Sequence, residues 1–200
     1  MNRKLFVALL VLGLGSFVFT SCAKYPQAEV DATNLAIQDA VTAGAEMYLH
    51  EEFVAMQDSM NACMVSLEEE KSKFFKNFDE QKTQLTAITT MATDLKAKTL
   101  VRIEELKVEI QTLITETQAL VDTNKVLVQT APKGKEGKSA LEAIKGEIEV
   151  IEASLVEVNT MFQGGELLAT LDKAKAAKEK AAAINAELNE VIAKFAAKKR

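Results

Sequence analysis

The chain has 200 residues, a formal net charge of −5, 48% apolar and 26% charged residues, eight glycines and two prolines. Its acidic balance argues against a nucleic-acid partner, which would select a basic face. The dominance of alanine, leucine, glutamate and lysine, all good helix formers, argues against a compact α/β enzyme and for long helices in a single domain.

The chain opens with two cations, Arg3 and Lys4, followed by an apolar run from Leu5 to Phe19. About fifteen residues fall short of the ~20 needed to span a bilayer. They have the length and the positive flank of a secretory signal. The run closes on Phe19-Thr20-Ser21-Cys22. Small residues followed by cysteine at this point resemble the lipobox of bacterial lipoproteins. Phe19 stands where leucine is usual, as in the looser lipoboxes of the Bacteroidetes and spirochaetes. The resemblance implies cleavage between Ser21 and Cys22, lipid on the Cys22 sulfur, and acylation of the new amino terminus. An ordinary cleaved signal and an uncleaved membrane helix are the other readings of these residues.

On the lipoprotein reading, residues 1–21 are a signal peptide, 22–28 a lipidated linker interrupted by Pro26, and 29–200 a helical coiled-coil domain. Each buried CH₂ contributes about 0.8 kcal/mol, so two or three acyl chains hold where one binds marginally. Loss of Arg3 and Lys4 with the leader takes the net charge from −5 to about −7.

Four helices are expected after the linker, at about 29–47, 51–129, 139–162 and 166–197. The first carries Ala32, Leu35, Ala36, Ala40, Ala43 and Met47 on one face. It breaks near Tyr48–His50, where Gly44 precedes and Glu51 and Glu52 suit a helix start. The second continues an apolar stripe through Phe53, Met56, Met60, Cys63, Leu67, Phe74 and Phe78. From Leu85 the rhythm is heptad through Ile88, Ala92, Leu95 and Thr99. A four-residue step, a stutter, leads to Ile103, Leu106, Ile110, Leu113, Thr117, Leu120, Asn124 and Leu127. Asn124 is a polar residue at a core position, where it can fix register. At 1.5 Å per residue this helix is on the order of 110 Å long.

Pro132, Gly134 and Gly137 make a turn. Leu141, Ile144, Ile148, Ile151, Leu155, Val158 and Phe162 then form a 3-4 stripe, and a turn this short favours an antiparallel neighbour. Gly164-Gly165 reads as a second turn, with a kinked continuous helix as the alternative. Leu167, Ala174, Ala181, Leu188 and Phe195 repeat at sevens beyond it, with Ala177, Ile184 and Val191 alongside. The expected fold is all-α: an elongated antiparallel coiled-coil hairpin or bundle with one very long helix and shorter flanking helices.

Little of this carries chemistry. Gly134–Ser139, "GKEGKS", resembles part of a phosphate loop, but Pro132 replaces the required first glycine and no strand precedes it. A helix–helix turn is the expected role. His50, Met56, Met60, Cys63 and Met64 could supply soft ligands to copper, yet Met56, Met60 and Met64 also lie at core spacing, where methionine fills gaps. A single histidine leaves almost no material for zinc or His-based acid–base catalysis. No cofactor and no enzymatic activity are expected.

Ala36–Cys63 resembles a group of small α-helical envelope lipoproteins of the Bacteroidetes and spirochaete type, matching at Ala43, Gly44, Ala45, Tyr48 and Phe53. Leu49-His50 stands where they usually carry Ala-Pro. The resemblance implies a helical hairpin in the cell envelope and no known activity. The stretch from Phe162 to Ala181 is loosely similar to one tetratricopeptide-like helix pair. The lipid-plus-coiled-coil plan looks like the murein lipoprotein family, which links to cell wall through a C-terminal lysine; here the chain ends Lys198-Lys199-Arg200.

These readings converge on a lipid-anchored spacer or protein-binding scaffold, in the outer membrane and facing the periplasm. A protein partner or self-association is expected through the coiled coil, and cell-wall or anionic-lipid contact through Lys198, Lys199 and Arg200. The alternative is a periplasmic carrier of a small molecule or copper in an interhelical cavity.

Overall fold

The computed structural model describes residues 23–132 and 137–198. Every regular element among them is an α-helix: α1 Gln27–Thr42, α2 Ala45–Tyr48, α3 His50–Ser72, α4 Asp79–Thr130, α5 Gly137–Gly164 and α6 Leu167–Lys198. The all-α expectation holds. The chain divides into two compact units between Thr99 and Leu100. Each unit packs three long helices around its own core, and α4 contributes to both.

In the first unit α1, α3 and the start of α4 enclose Val30, Ala40, Phe53, Met56, Met60, Cys63, Leu67, Phe78, Leu85, Ile88, Ala92 and Leu95. α1 ends at Thr42, just before Gly44 and short of the expected break near Tyr48–His50. That glycine takes φ 93° and donates its N–H to Val41 O at 2.8 Å. A Cβ there would sit 3.0 Å from the Tyr48 ring, so the turn into α2 selects glycine twice over. α1 runs parallel to α4: Thr33 Oγ1 donates to Leu85 O (3.2 Å) and lies 2.9 Å from Thr89 Oγ1, while Lys96 pairs with Asp39 at 2.8 Å further along. α3 runs antiparallel to both, with Gln81 Nε2 donating to Ser66 Oγ at 2.8 Å.

The buried face of α1 differs from the expected one. Ala40 is buried and Ala36 half-buried, but Ala32 is exposed, Leu35 is 62% exposed, and Met47, which falls on α2, is 65% exposed. Val30 and Thr33 hold the inner positions instead. The Thr33 hydroxyl is tolerated there because it reaches both helix carbonyls and Thr89, so burial leaves nothing unpaired.

The second helix expected over 51–129 is two helices, α3 and α4, separated by Lys73–Phe78. The stripe was carried through this gap on Phe74 and Phe78, yet Phe74 is 91% exposed and only Phe78 is buried. Asn77 supplies the stop and restart: its Oδ1 accepts the Asp79 N–H at 3.0 Å, satisfying one of the orphan donors at the start of α4.

The second unit contains α4 from Leu100 onward, α5 and α6. α5 lies antiparallel to α4, with Lys125 and Glu152 paired at 2.5 Å. α6 lies antiparallel to α5, through Lys173 and Glu157, and parallel to α4, through Lys175–Glu109 at 2.9 Å and Lys178–Glu116 at 2.6 Å. The α5–α6 joint is a break, as preferred. Gly165 has φ 82° and donates to Phe162 O, and Glu166 N–H reaches Met161 O, both at 3.2 Å. This pair of bonds is the Schellman arrangement that ends a helix on a left-handed glycine.

The expected stripe of α5 is buried from Leu141 to Val158, with Phe162 half-buried. On α6 the buried set runs from Leu167 to Leu188, while Val191 and Phe195 are 42% and 44% exposed. On α4 the register shifts once. Thr117 is followed inward by Val121, Asn124 and Val128, leaving Leu120 and Leu127 half-buried. This second four-residue step offsets the drift of a strict heptad against the 3.6-residue turn. The expected Pro132–Gly137 turn lies partly outside the described residues.

Candidate functional site

Ser21, Cys22, Lys199 and Arg200 lie outside the described residues, and Lys198 closes α6. The nearest described neighbours of Cys22 are informative. Residues 22–28 were expected to form a linker, but the fold begins almost at once. Ala23 and Tyr25 are half-buried against the first core, Pro26 is buried, and α1 starts at Gln27. Pro26 suits that start, since it has no N–H to leave unpaired and its carbonyl accepts from Val30 at 3.1 Å.

Tyr25 carries the chain entry onto the α3–α4 loop. Its ring meets Phe78 edge-on, with centroids 5.7 Å apart and planes at 74°, and Lys71 Nζ stands 5.5 Å from its centroid. Edge-to-face and cation–π contacts of this kind each contribute roughly 0.5–1.5 kcal/mol. The start of the fold and the loop therefore share one end of the first unit.

The loop itself is pinned by one carboxylate. Glu70 is buried near the end of α3 and accepts from Lys73 Nζ at 2.6 Å and from the Asn77 N–H at 2.8 Å. The Lys73 hydrogen bond, then that of the Asn77 N–H, hold its carboxyl below the usual carboxylate range; Lys73 is raised in return by Glu70. Lys73 turns to Glu70 rather than to Glu69, four residues back. With both ends of the loop fixed, Phe78 points inward at 2% exposure, while Phe74 and Phe75 point outward at 91% and 77%. Their rings touch edge-on at 5.0 Å, which hides only part of each. Burying a phenylalanine fully is favourable by about 1.5–3 kcal/mol, so this pair forgoes a large contribution.

The residues considered for copper divide. Met56, Met60 and Cys63 pack in the first core with Leu67, Met64 is half-buried, and His50 is exposed with Nδ1 3.3 Å from Glu46 O. Cys63 Sγ lies 3.8 Å from Gln81 O, and burial pushes its thiol up. Among the described residues no three His, Cys, Asp or Glu side chains converge to hold a metal ion, and no helix is long and apolar enough to cross a membrane.

Three lysines of α6 are paired within the second unit: Lys173, Lys175 and Lys178 join α6 to Glu157, Glu109 and Glu116. Two other surfaces have a concave or apolar character. One is a groove between α5 and α6 of about 550 Å³ beside Gly146, Val150 and Ala183. The other is an exposed strip of α4 with Leu100, Val101 and Val108 among Glu104, Glu105 and Glu109.

Phe74 and Phe75 are what the sequence reading missed as a site. The signal was present: Asn77 and Asp79 form a helix-start pattern just after them, and a start there takes Phe74 out of the stripe. Comparison of the chain with family models, with curated proteins and with solved structures returns no match.

Proposed function

We propose that the protein is a non-catalytic, lipid-anchored component of a bacterial cell envelope, held by acyl chains on Cys22 and acting as a scaffold or spacer for other envelope components. The observation that carries this reading is the seam at Ser21-Cys22. A charged and apolar leader of signal length ends on a cysteine, and the first packed residue of the fold follows immediately at Ala23. A leader that stops one residue short of the core fits a cleaved and acylated terminus. The proposal includes the elongated coiled-coil hairpin read from the sequence, with the 52-residue α4 as its longest element, and placement on the outer membrane facing the periplasm. Helix faces, rather than a catalytic cluster, are then the working surfaces.

Metabolic labelling with an alkyne palmitate tests it. The wild-type chain incorporates label and Cys22→Ala does not. Label retained in Cys22→Ala, or absent from wild type, overturns the anchor. Crosslinking in intact cells followed by purification then identifies the envelope partner the scaffold reading requires.

A further inference from the structure

We propose that the α3–α4 loop is a second membrane contact, in which Phe74 and Phe75 enter the interfacial region of the bilayer beside the acylated amino terminus. The inference rests on the anchored reading for where the membrane lies, and on loop geometry for what touches it. Tyr25 packs on Phe78 at 5.7 Å, and the three residues from Cys22 to Tyr25 reach at most about 11 Å. The point of attachment is therefore within a short reach of the loop, whatever path residue 22 takes. A protein tethered there brings that end of its first unit to the lipid surface.

The loop has the chemistry for such a surface. Two adjacent aromatic rings project from it, and aromatic side chains favour the boundary between headgroups and acyl chains. Lys71, Lys73 and Lys76 flank them, with stems that can lie along apolar surface while the ammonium groups stay in water. Lys71 is already paired with Glu68 at 3.0 Å and Lys73 with Glu70 at 2.6 Å. Attraction to anionic lipid is therefore largely answered within the protein, and insertion of the rings drives the contact. Neutral phosphatidylcholine is the sufficient surface. The rigid pinning by Glu70 matters too, because rings held outward lose little freedom on entering the lipid.

The chain has no tryptophan, so Phe74→Trp introduces a single reporter at a site already 91% exposed. The full chain, processed in cells and reconstituted into phosphatidylcholine vesicles, is compared with Met47→Trp. Met47 is 65% exposed and lies at the opposite end of α3, about 35 Å away along a 23-residue helix. The expected result is blue-shifted emission from Phe74→Trp, quenched by lipids brominated on the acyl chain, with Met47→Trp remaining water-like and quenched by iodide. Iodide quenching equal at the two positions overturns the inference. So does a blue shift without bromine quenching, the signature of rings covered by a second copy or by another part of the chain. Palmitate labelling on the same samples separates the two claims. Unlabelled protein sinks the anchor, whereas labelled protein with a water-exposed Phe74→Trp sinks only the loop.

Discussion

The two units share one helix and one plan, two parallel helices in direct contact with an antiparallel third, but are held together differently. The first is filled with irregular side chains: Phe53, Met56, Met60, Cys63 and Phe78. Its parallel helices are pinned by hydroxyls, Thr33 on Thr89 and Leu85 O. The second is filled with aliphatics and alanines, such as Ile144, Ile148, Ile151, Ala177, Ala181 and Ile184. It is pinned by a carboxamide: the buried Asn124 donates to Ala181 O at 2.8 Å and accepts from Asn185 Nδ2 at 2.8 Å. Ion pairs link all three of its helices, whereas in the first unit Lys96–Asp39 joins α4 to α1. The first unit is thus specified by shape at particular points, the second by a regular stripe whose register polar groups select.

The largest test of this contrast is Phe78→Ala. Phe78 is 2% exposed and joins the chain entry, the loop and the core, and truncations of this kind cost about 3–5 kcal/mol. Hydrogen exchange should show protection lost in α1 and α3 first, with α5 and α6 retaining theirs; equal loss throughout would erase the distinction. Next comes Asn124→Ala, expected to lower stability in urea by about 1–3 kcal/mol, because it removes both hydrogen bonds of a buried carboxamide and takes the acceptor from Asn185 Nδ2. Thr33→Val in the first unit keeps shape and should cost less, about 1 kcal/mol; the reverse order would mean that the hydroxyl, not the carboxamide, is the critical pin.

A third effect is confined to the loop and to acid. Glu70 has a depressed pKa, so its contribution is complete above the ordinary carboxylate value and is lost as pH falls through the depressed one. Exchange of the Asn77 amide should accelerate over that acid window in wild type, beyond the intrinsic pH dependence, and lose this component in Glu70→Gln. The smallest effect is expected for Lys178→Ala. Its pair with Glu116 is largely solvated, and such pairs contribute about 0–1 kcal/mol. A larger loss on thermal denaturation would show that the ion pairs set register cooperatively.

The same contrast governs what could be read from the sequence. Leu141 to Val158 and Leu167 to Leu188 follow a clean aliphatic period, and both stripes are buried as expected. The Gly164-Gly165 break was legible because a left-handed glycine has a local signature. In the first unit periodicity misled. Thr33 is polar yet central, Leu35 and Met47 are apolar yet exposed, and a core spacing continued numerically through Phe74 although the chain had left the helix. Tertiary partners decide such residues, and those partners are distant in sequence: Thr33 meets Leu85 and Thr89. At the aromatic loop the local signal of Asn77 and Asp79 was outweighed by the apolar spacing, and the inward turn of Phe78, with Phe74 and Phe75 left outside, depends on a core that the sequence does not display.

The division at Thr99 also orders events during synthesis. Every residue of the first core lies upstream of that point, so a chain emerging from its amino end holds a complete set of partners before the second half of α4 has any. Leu106, Ile110, Leu113 and Val121 must wait for α5 and α6, both still to come. Domains generally complete in that direction as they are made. α4 then serves the late helices as a template already nucleated at its amino end, which spares the second unit the costly first turn of its longest helix.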